Sequence, residues 1–240
     1  TWSKSIDNLN SAFGDTWGMN SGRPMDYYNL SLDKSVSPYD RTHWIKVGAS
    51  VDLPLGRGRT FGNSMNRALD FAVGGWTLQY IGNYSSGEPM GFGATGTAVG
   101  NFKTQRPVIV NPNGKPLSLN WDSKSFDMSR ISTAGTAAHK YFDTTLIRNT
   151  GRYERGNAAY RYSHLRTPWF LSDDFSLQKN FRPFASLETM RIQFRAEALN
   201  LFNRHRLSGF DTNAASPLFG QVTAVSNDRR QIQFGIRADW

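Results

Sequence analysis

The segment from Arg148 to Arg166 holds a dense group of residues suited to ligand binding, because arginines and tyrosines are interleaved along it. Its members are Arg148, Arg152, Arg155, Arg161, Arg166, Tyr153, Tyr160 and Tyr162. Arginine presents a planar fork of donors that matches phosphate, and aromatic rings stack on nucleobases. The chain carries a net charge of +9. Three interpretations stay open: a solvated loop, a surface for an anionic ligand, and a site for single-stranded nucleic acid.

A second candidate is the glycine pattern from Gly91 to Gly96, which matches the GxGxxG signature of dinucleotide-binding loops. That signature works only where a strand precedes the glycines and a helix follows them, since the helix start holds the pyrophosphate. The following residues include Thr97, Val99 and Asn101, which are poor helix formers. We therefore predict a flexible loop here and no nucleotide site.

Residue types used in catalysis and metal binding are present but scattered. The four histidines are His43, His139, His164 and His205. They lack ligand spacings such as HExxH, and the chain has no cysteine. No serine lies in a GxSxG setting, and no isolated carboxylate pair lies in an apolar stretch. We expect no enzymatic activity, no catalytic residue, no metal site and no cofactor.

The elements that position these loops are predicted to be strands with one apolar and one polar face, because strand side chains alternate between faces. In Arg229–Trp240, every even-numbered residue from Ile232 to Trp240 is apolar. The pattern recurs in Trp44–Leu53 and Met190–Ala198. Weaker examples are Trp76–Tyr84, Leu171–Phe181 and a truncated strand around Trp2. The sequence thus predicts about six strands, near the 9–11 residues of a tilted membrane-spanning strand.

The connections between these strands alternate in length. Long polar stretches occupy about residues 6–40, 85–168 and 203–228, whereas residues 54–59 and 182–189 read as short turns. No stretch approaches the roughly 20 apolar residues of a membrane-spanning helix. Long loops on one side and short turns on the other are typical of outer-membrane barrels. We therefore predict an all-β fold: a segment of an antiparallel transmembrane β-barrel with long extracellular loops and short periplasmic turns.

Eight short motifs, each weak by itself, together form a specific pattern through their order and spacing along the chain. They are Thr1–Asn8, Ser37–His43, Leu53–Arg59, Gly74–Leu78, Ser86–Pro89, Asp174–Phe181, Phe194–Asn203 and Arg230–Gly235. With them, the chain resembles the carboxy-terminal part of TonB-dependent outer-membrane receptors. The similarity is to the Oar-like branch, whose members carry a carboxypeptidase-regulatory-like domain. The resemblance covers nearly all of residues 1–240.

This resemblance implies a larger protein in the outer membrane of a Gram-negative bacterium. Residues 1–240 would be part of a 22-stranded barrel, with the plug and the N-terminal strands outside this sequence. The implied function is energised solute uptake driven by TonB–ExbB–ExbD through the missing N-terminal part. The implied partners are the remaining strands and plug, the lipid bilayer with its lipopolysaccharide, and the barrel-assembly machinery. Phe234 and Trp240 resemble the signal which that machinery reads. No nucleic acid is expected.

Two groups of residues are candidates for contact with water, plug or solute. The polar strand positions predicted to face the lumen are Lys46, Asp52, Arg191, Arg195, Glu197 and Arg237. The long central loop supplies candidate ligand or surface contacts at Trp121, Tyr141, Arg152, Tyr153 and Tyr160. Charged side chains in a row along one strand face suit a water-filled lumen better than a dry core, where buried charges must be paired.

An alternative fold would explain the same alternation. A soluble or surface-attached β-rich binding module for polysaccharide or nucleic acid also has strands with one apolar face. It predicts that Ile45, Val47, Phe194 and Ile236 pack against a second sheet instead of lipid. The two hypotheses differ in what covers the apolar face.

Overall fold

The computed structural model describes residues 1–8, 25–26, 28–95, 105–110, 116–120, 140–181, 190–226 and 229–240. The strands within these ranges are β1 (Ile6–Asp7), β2 (Ser35–Val36), β3 (Trp44–Asp52), β4 (Trp76–Ser85), β5 (Pro89–Met90), β6 (Val108–Ile109), β7 (Ile147–Arg148), β8 (Tyr162–Arg166), β9 (Phe170–Phe181), β10 (Arg191–Leu199), β11 (Leu207–Phe210), β12 (Val222–Val225) and β13 (Gln231–Asp239). A 3-10 helix spans Leu30–Asp33 and helix α1 spans Arg67–Val73. No described helix is long and apolar enough to cross a membrane.

The chain divides into two compact units. The sheet unit comprises Trp44–Tyr84, Phe170–His205 and Asn227–Trp240. The loop unit comprises Thr1–His43, Ser85–Trp169 and Arg206–Ser226. The loop unit therefore gathers the three long connections predicted from the sequence, and the sheet unit gathers the five long strands.

The sheet unit is built on one five-stranded sheet in the order β13-β10-β9-β4-β3. Each strand pairs with the next long strand along the chain, as in an up-and-down meander. Strand β10 runs antiparallel to both β9 and β13. Strand β3 is antiparallel to β4, because Trp44 contacts Asn83 at one end while Asp52 contacts Thr77 at the other. In the described residues this sheet is open, with β3 and β13 at its edges.

The register sorts the side chains of this sheet into an apolar face and a polar face. Phe194 lies opposite Ile236, and Ala196 lies opposite both Phe234 and Leu177. The apolar face carries Ile45, Val47, Ala49, Val51, Trp76, Leu78, Phe175, Leu177, Phe181, Ile192, Phe194, Ile232, Phe234 and Ile236. Ile236 is 77% exposed and Phe234 is 72% exposed, so neither packs against a second sheet within the described residues.

The predicted first strand around Trp2 does not join this sheet in the described residues. Trp2 forms one isolated antiparallel bridge with His43, and Ile6–Asp7 pairs with Ser35–Val36 in a separate two-stranded sheet. The Ser5 amide donates to the Asp40 carboxylate instead of to a backbone carbonyl. Five of the six predicted strands therefore form the sheet.

The described parts of the long connections fold around apolar side chains. They share a hydrophobic core of Met90, Phe92, Leu117, Tyr141, Phe142, Ile147, Leu165, Leu207, Phe219 and Val222. The rings of Phe92, Phe142 and Phe219 contact one another at centroid distances of 4.8–6.2 Å. The described residues of the loop unit also form four two-stranded sheets: β1–β2, β5–β8, β6–β7 and β11–β12. Burial of these scattered apolar residues stabilises segments that are polar on average.

Candidate functional site

The polar face of the five-stranded sheet is the first candidate site. It presents all six residues that the sequence predicted to face a lumen: Lys46, Asp52, Arg191, Arg195, Glu197 and Arg237. They share a face because they occupy alternate positions along β3, β10 and β13, and side chains at alternate positions point the same way. The register between β10 and β13 places polar residues opposite polar residues. Arg191 faces Asp239, and Arg237 faces Gln193.

Contacts along single strands and between neighbouring strands link four of these side chains: Asp52, Arg195, Glu197 and Arg237. Arg195 pairs with Glu197 at 3.3 Å, and Gln233 donates to the same Glu197 carboxylate. Thr77 donates to Asp52 at 2.7 Å. The Arg237–Asp239 pair, at 2.9 Å, is more than half exposed at both ends, so it contributes little to stability. The face is thus a water-accessible surface of mixed charge, able to form hydrogen bonds with water, protein or a polar solute.

Two charged residues lie on the apolar face, and each is enclosed by partners from its own unit. Asp173 is 2% exposed and accepts hydrogen bonds from the hydroxyls of Tyr80 at 2.6 Å and Tyr84 at 2.5 Å. Arg204 Nε lies 3.1 Å from the second carboxylate oxygen of Asp173. Lys179 Nζ donates to the carbonyls of Ala72 at 2.9 Å and Gly74 at 2.8 Å.

These contacts resolve a conflict in the amino-acid pattern. An unpaired charge on an apolar face would cost several kcal/mol, whereas a paired and hydrogen-bonded charge is tolerated. The alternation placed Asp173 and Lys179 on that face but gave no sign of their partners. Tyr80 and Tyr84 share the face because they lie an even number of residues from Trp76 on β4.

The arginine and tyrosine segment is the second candidate site, and most of its arginines hold the loop unit together. Arg148 makes two hydrogen bonds with Glu154, at 2.5 and 2.6 Å. Arg155 pairs with Asp26 at 2.7 Å, and Arg166 pairs with Asp40 at 2.6 Å. Asp26 and Asp40 belong to the first long connection, so these ion pairs join two distant parts of the chain.

Arg166 is the most highly connected of these residues. Its guanidinium donates to the carboxylate and carbonyl of Asp40, at 2.6 and 3.2 Å, and to the carbonyls of Gly87 at 3.0 Å and Ser163 at 2.8 Å. Burial alone would raise the pKa of Asp40. The hydrogen bonds from Arg166 and from the Ser5 amide outweigh burial and hold that pKa below its usual value.

A buried arginine that the sequence analysis missed lies beside this segment. Arg106 is 2% exposed, pairs with Asp33 at 3.2 Å and donates to the Leu32 carbonyl at 2.9 Å. Burial lowers the pKa of Arg106, and the Asp33 carboxylate opposes that shift. Its surroundings form only when Met25, Leu32 and Asp33 fold against Arg106, and no local pattern in the sequence signals that contact.

The five predicted ligand contacts have different environments. Tyr141 is 1% exposed, and its hydroxyl donates to the Arg166 carbonyl at 2.7 Å, so it is a core residue with no surface for a ligand. Burial raises its pKa. Tyr160 is half-buried beneath the Arg161 guanidinium, 4.3 Å from its ring centroid. Arg152 and Tyr153 are exposed and stack on each other at 5.1 Å. Trp121 lies outside the described residues.

A basic groove opens beside the same segment. It is lined by Lys4, Ile6, Lys34, Ser35, Val36, Arg161, Tyr162, Ser163 and His164. Three of these residues are lysine or arginine, and none is a carboxylate. Arg161 Nη1 is buried without a hydrogen-bond partner among the described residues. This combination suits an anionic group, which leaves the anionic-ligand interpretation of the segment open.

The GxGxxG segment is ordered by backbone pairing up to Thr95. The Gly93 amide donates to the Thr212 carbonyl at 3.0 Å, and the Ala214 amide donates back to the Gly93 carbonyl at 2.9 Å. A Cβ at position 91 would lie 2.2 Å from the Tyr160 carbonyl oxygen, so glycine at this position allows the two backbone segments to pack closely. The described residues of the segment therefore form a loop that is hydrogen-bonded to neighbouring backbone. Gly96 lies outside the described residues.

The comparison with known protein families now decides between the two folds that the sequence left open. A family model described as an outer membrane beta barrel domain matches residues 1–233. The chain belongs to this family. Neither a curated protein nor a solved structure matches it. Family membership locates the protein in the outer membrane and favours the barrel over the soluble or surface-attached module.

Membership in the outer-membrane barrel family also suggests an environment for each face of the sheet. Barrel strands turn apolar side chains to lipid and polar side chains to the interior. By this rule we propose that the exposed apolar row of β13, from Ile232 to Ala238, faces lipid and that the polar face lines the interior. Phe234 lies in that row. Trp240, which is 91% exposed, is the next even-numbered residue after the strand ends.

Proposed function

We propose that this outer-membrane barrel domain forms part of the wall and outer loops of an Oar-like, TonB-dependent transporter. The observation that carries the proposal is the five-stranded meander, with its charged polar face on one side and its exposed apolar face on the other. The order and spacing of the motifs from Thr1–Asn8 to Arg230–Gly235 support the choice of this receptor class. The loop unit fits the large outer loops that such a receptor uses to capture its solute.

The proposed mechanism assigns a separate task to each unit. The loop unit captures the solute, and the basic groove around Lys34 and Arg161 favours one with an anionic group. The polar face, with Lys46, Asp52, Arg191, Arg195, Glu197 and Arg237, lines the passage and contacts plug or water. The plug, moved by TonB–ExbB–ExbD through the N-terminal part of the receptor, opens that passage. No chemical step, catalytic residue, metal, cofactor or nucleic acid enters this scheme.

The scheme requires further strands. An open sheet in hydrocarbon exposes unpaired backbone groups at each edge, at a cost of several kcal/mol for each group. Strands β3 and β13 are the edges of the described sheet. We propose that other strands of the same receptor pair with them in a barrel of 22 strands. The barrel-assembly machinery would recognise the last strand through Phe234 and Trp240.

An uptake comparison tests the transport proposal. Cells with and without the gene for this protein are grown in the same complex medium, and the solutes removed from the medium are identified by mass spectrometry. We expect at least one solute to be depleted only when the protein is present, and depletion to stop when a protonophore removes the energy supply. Depletion that continues with the protonophore indicates a passive pore and contradicts TonB dependence. Equal depletion by both strains contradicts transport.

A further inference from the structure

The connection between β3 and β4, residues 54–75, is a folded element instead of a simple turn. Helix α1 begins after Asn66, whose side chain accepts a hydrogen bond from the Leu69 amide at 2.8 Å. It ends at Val73, and the amide of the following Gly74 donates to the Asp70 carbonyl at 2.8 Å. The Asp70 carboxylate accepts from the Arg57 amide at 2.7 Å and ties the helix to the preceding turn. These caps fix a helix that is too short to be stable alone.

Helix α1 lies against the apolar face of the sheet. Lys179 Nζ donates to the Ala72 and Gly74 carbonyls at the C-terminal end of the helix. The ring of Phe71 packs edge-on against Phe181 at 4.9 Å, and the Trp76 indole N–H donates to the Ala72 carbonyl at 3.1 Å. Trp76 in turn contacts Phe194, which is part of the same apolar face. The helix therefore lies on the side of the sheet that faces lipid.

The exposed surface of the connection combines apolar and basic side chains. Leu69 is 49% exposed, Phe71 is 50% exposed and Phe61 is 60% exposed. Three exposed arginines accompany them: Arg57, Arg59 and Arg67. Asp70 is the one acidic residue in the connection, so its net charge is +2 (three arginines, one aspartate). Apolar side chains beside arginines are typical of elements that lie in the headgroup region of a membrane.

We propose that the β3–β4 connection is an interfacial anchor that binds anionic phospholipid headgroups. Leu69 and Phe71 enter the boundary of the hydrocarbon, and the arginines bind lipid phosphates. Two observations specify this occupant: the helix lies on the apolar face of the sheet, and the net charge of +2 on the whole connection is complementary to anionic headgroups. Lys179 is a positioning residue, because it holds the C-terminal end of α1 on the sheet. The proposal rests on family membership and on the face assignment, and does not depend on TonB or on transport.

Lipid binding tests the charged part of the proposal. The complete membrane protein in neutral detergent is titrated with phosphatidylglycerol, and bound lipid is counted by native mass spectrometry. Each arginine near an anionic headgroup strengthens binding about fivefold, so the double variant R57Q/R59Q is expected to bind about 25-fold more weakly. The matched control, R229Q/R230Q, removes two exposed arginines before β13 and is expected to change binding by less than about threefold. Equal effects of the two pairs, or no effect of R57Q/R59Q, overturns the proposal.

Membrane depth tests the apolar part. The 240-residue chain has no cysteine, so single cysteines introduced into it can carry a spin label. Val47 and Ser50 lie on opposite faces of β3 and serve as hydrocarbon and aqueous references. In phospholipid vesicles, the label at L69C is expected to collide with oxygen more than with a water-soluble nickel complex, as at V47C. A label at L69C that resembles S50C overturns the anchor.

The V47C and S50C references distinguish failure of the anchor proposal from failure of the lipid-facing assignment of the sheet. If V47C itself shows the aqueous behaviour of S50C, the lipid-facing assignment fails and the anchor fails with it. If V47C reports lipid while L69C reports water, the barrel assignment stands and the anchor alone is wrong. Folding of each variant is checked by the change in gel mobility on heating, which folded barrels show.

Discussion

Asp40 is the residue whose substitution should most sharply test the architecture of the loop unit. Its side chain is fully buried and pairs with Arg166, which is 18% exposed. The Ser5 amide donates to one carboxylate oxygen at 2.7 Å, and Arg166 donates to the other at 2.6 Å. The substitution Asp40→Asn keeps the size of the side chain but places an NH₂ donor opposite the guanidinium. One oxygen remains to accept from Ser5.

The expected cost follows from the burial of this pair. Removing one partner of a buried ion pair costs about 3–5 kcal/mol, because the remaining charge stays buried without compensation. We expect the lower limit, about 3 kcal/mol, since Asn retains one acceptor. Each 1.4 kcal/mol corresponds to a factor of about ten in an equilibrium constant. The pairing of residues 1–7 with residues 35–43 should therefore open about 100-fold more often.

Hydrogen exchange measured by mass spectrometry on the folded protein reports this opening. The amides of Ser5 and Ser37 are the reporters, because the first donates to Asp40 and the second to the Ser5 carbonyl. The matched control is Asp239→Asn, which breaks the exposed pair with Arg237 and should change local protection less than about fivefold. If protection at Ser5 and Ser37 is the same in D40N as in the native protein, the ion pair does not hold these segments together.

Three further predictions concern other contacts. Gly87→Ala places a Cβ 1.6 Å from the Thr167 carbonyl and should destabilise the protein by about 3 kcal/mol or more. The control Gly93→Ala meets nothing within 4 Å and should shift stability by about 1 kcal/mol or less. Thermal unfolding measures both variants, and equal melting temperatures would contradict the close backbone contact at Gly87. Lys179→Met removes the donor to the Ala72 and Gly74 carbonyls and should speed hydrogen exchange of the α1 amides about tenfold. The control Lys46→Met, on the polar face, should leave that exchange unchanged. If the α1 amides of K179M exchange as slowly as those of the native protein, Lys179 does not position the helix. Acid should loosen the loop unit. The hydrogen bond from Arg148 lowers the pKa of Glu154 to about 2, and those from the Tyr28 amide and Arg155 lower that of Asp26. Carboxylates with lowered pKa values stabilise fully above their ordinary pKa and lose that contribution as pH falls through the folded value. Near-ultraviolet circular dichroism should therefore stay constant from pH 7 to about 5 and change only below about pH 4; a transition near pH 6 would contradict this account.

The five long strands were predictable because each carries a two-residue alternation that a sheet with one apolar face imposes. The predicted segment Met190–Ala198 differs from β10, Arg191–Leu199, by one residue at each end. Trp44–Leu53 differs from β3 by one residue at its end. The alternation also predicted that the six polar-face residues share one side of the sheet, since odd and even positions along a strand face opposite ways.

The loop unit and helix α1 were not predictable in the same way. Arg166 contacts Asp40, 126 residues away, and Gly87, 79 residues away, and no local pattern links such distant positions. The loop core is assembled from single apolar residues, such as Phe92, Phe142 and Phe219, within polar stretches. Helix α1 did leave a signal, because Asn66 precedes a run of helix formers and Gly74 follows it. At seven residues the helix is too short to show a clear period.

The most direct test of the account is a cysteine scan along β13 in intact outer membranes. Each residue from Gln231 to Asp239 is replaced by cysteine in turn and exposed to a water-soluble maleimide. The account predicts labelling with a period of two: Gln231, Gln233, Gly235 and Arg237 react, and Ile232, Phe234, Ile236 and Ala238 are protected by lipid. Uniform labelling along the strand, or labelling of the even-numbered positions instead, would contradict the assignment of this sheet to the wall of an outer-membrane barrel.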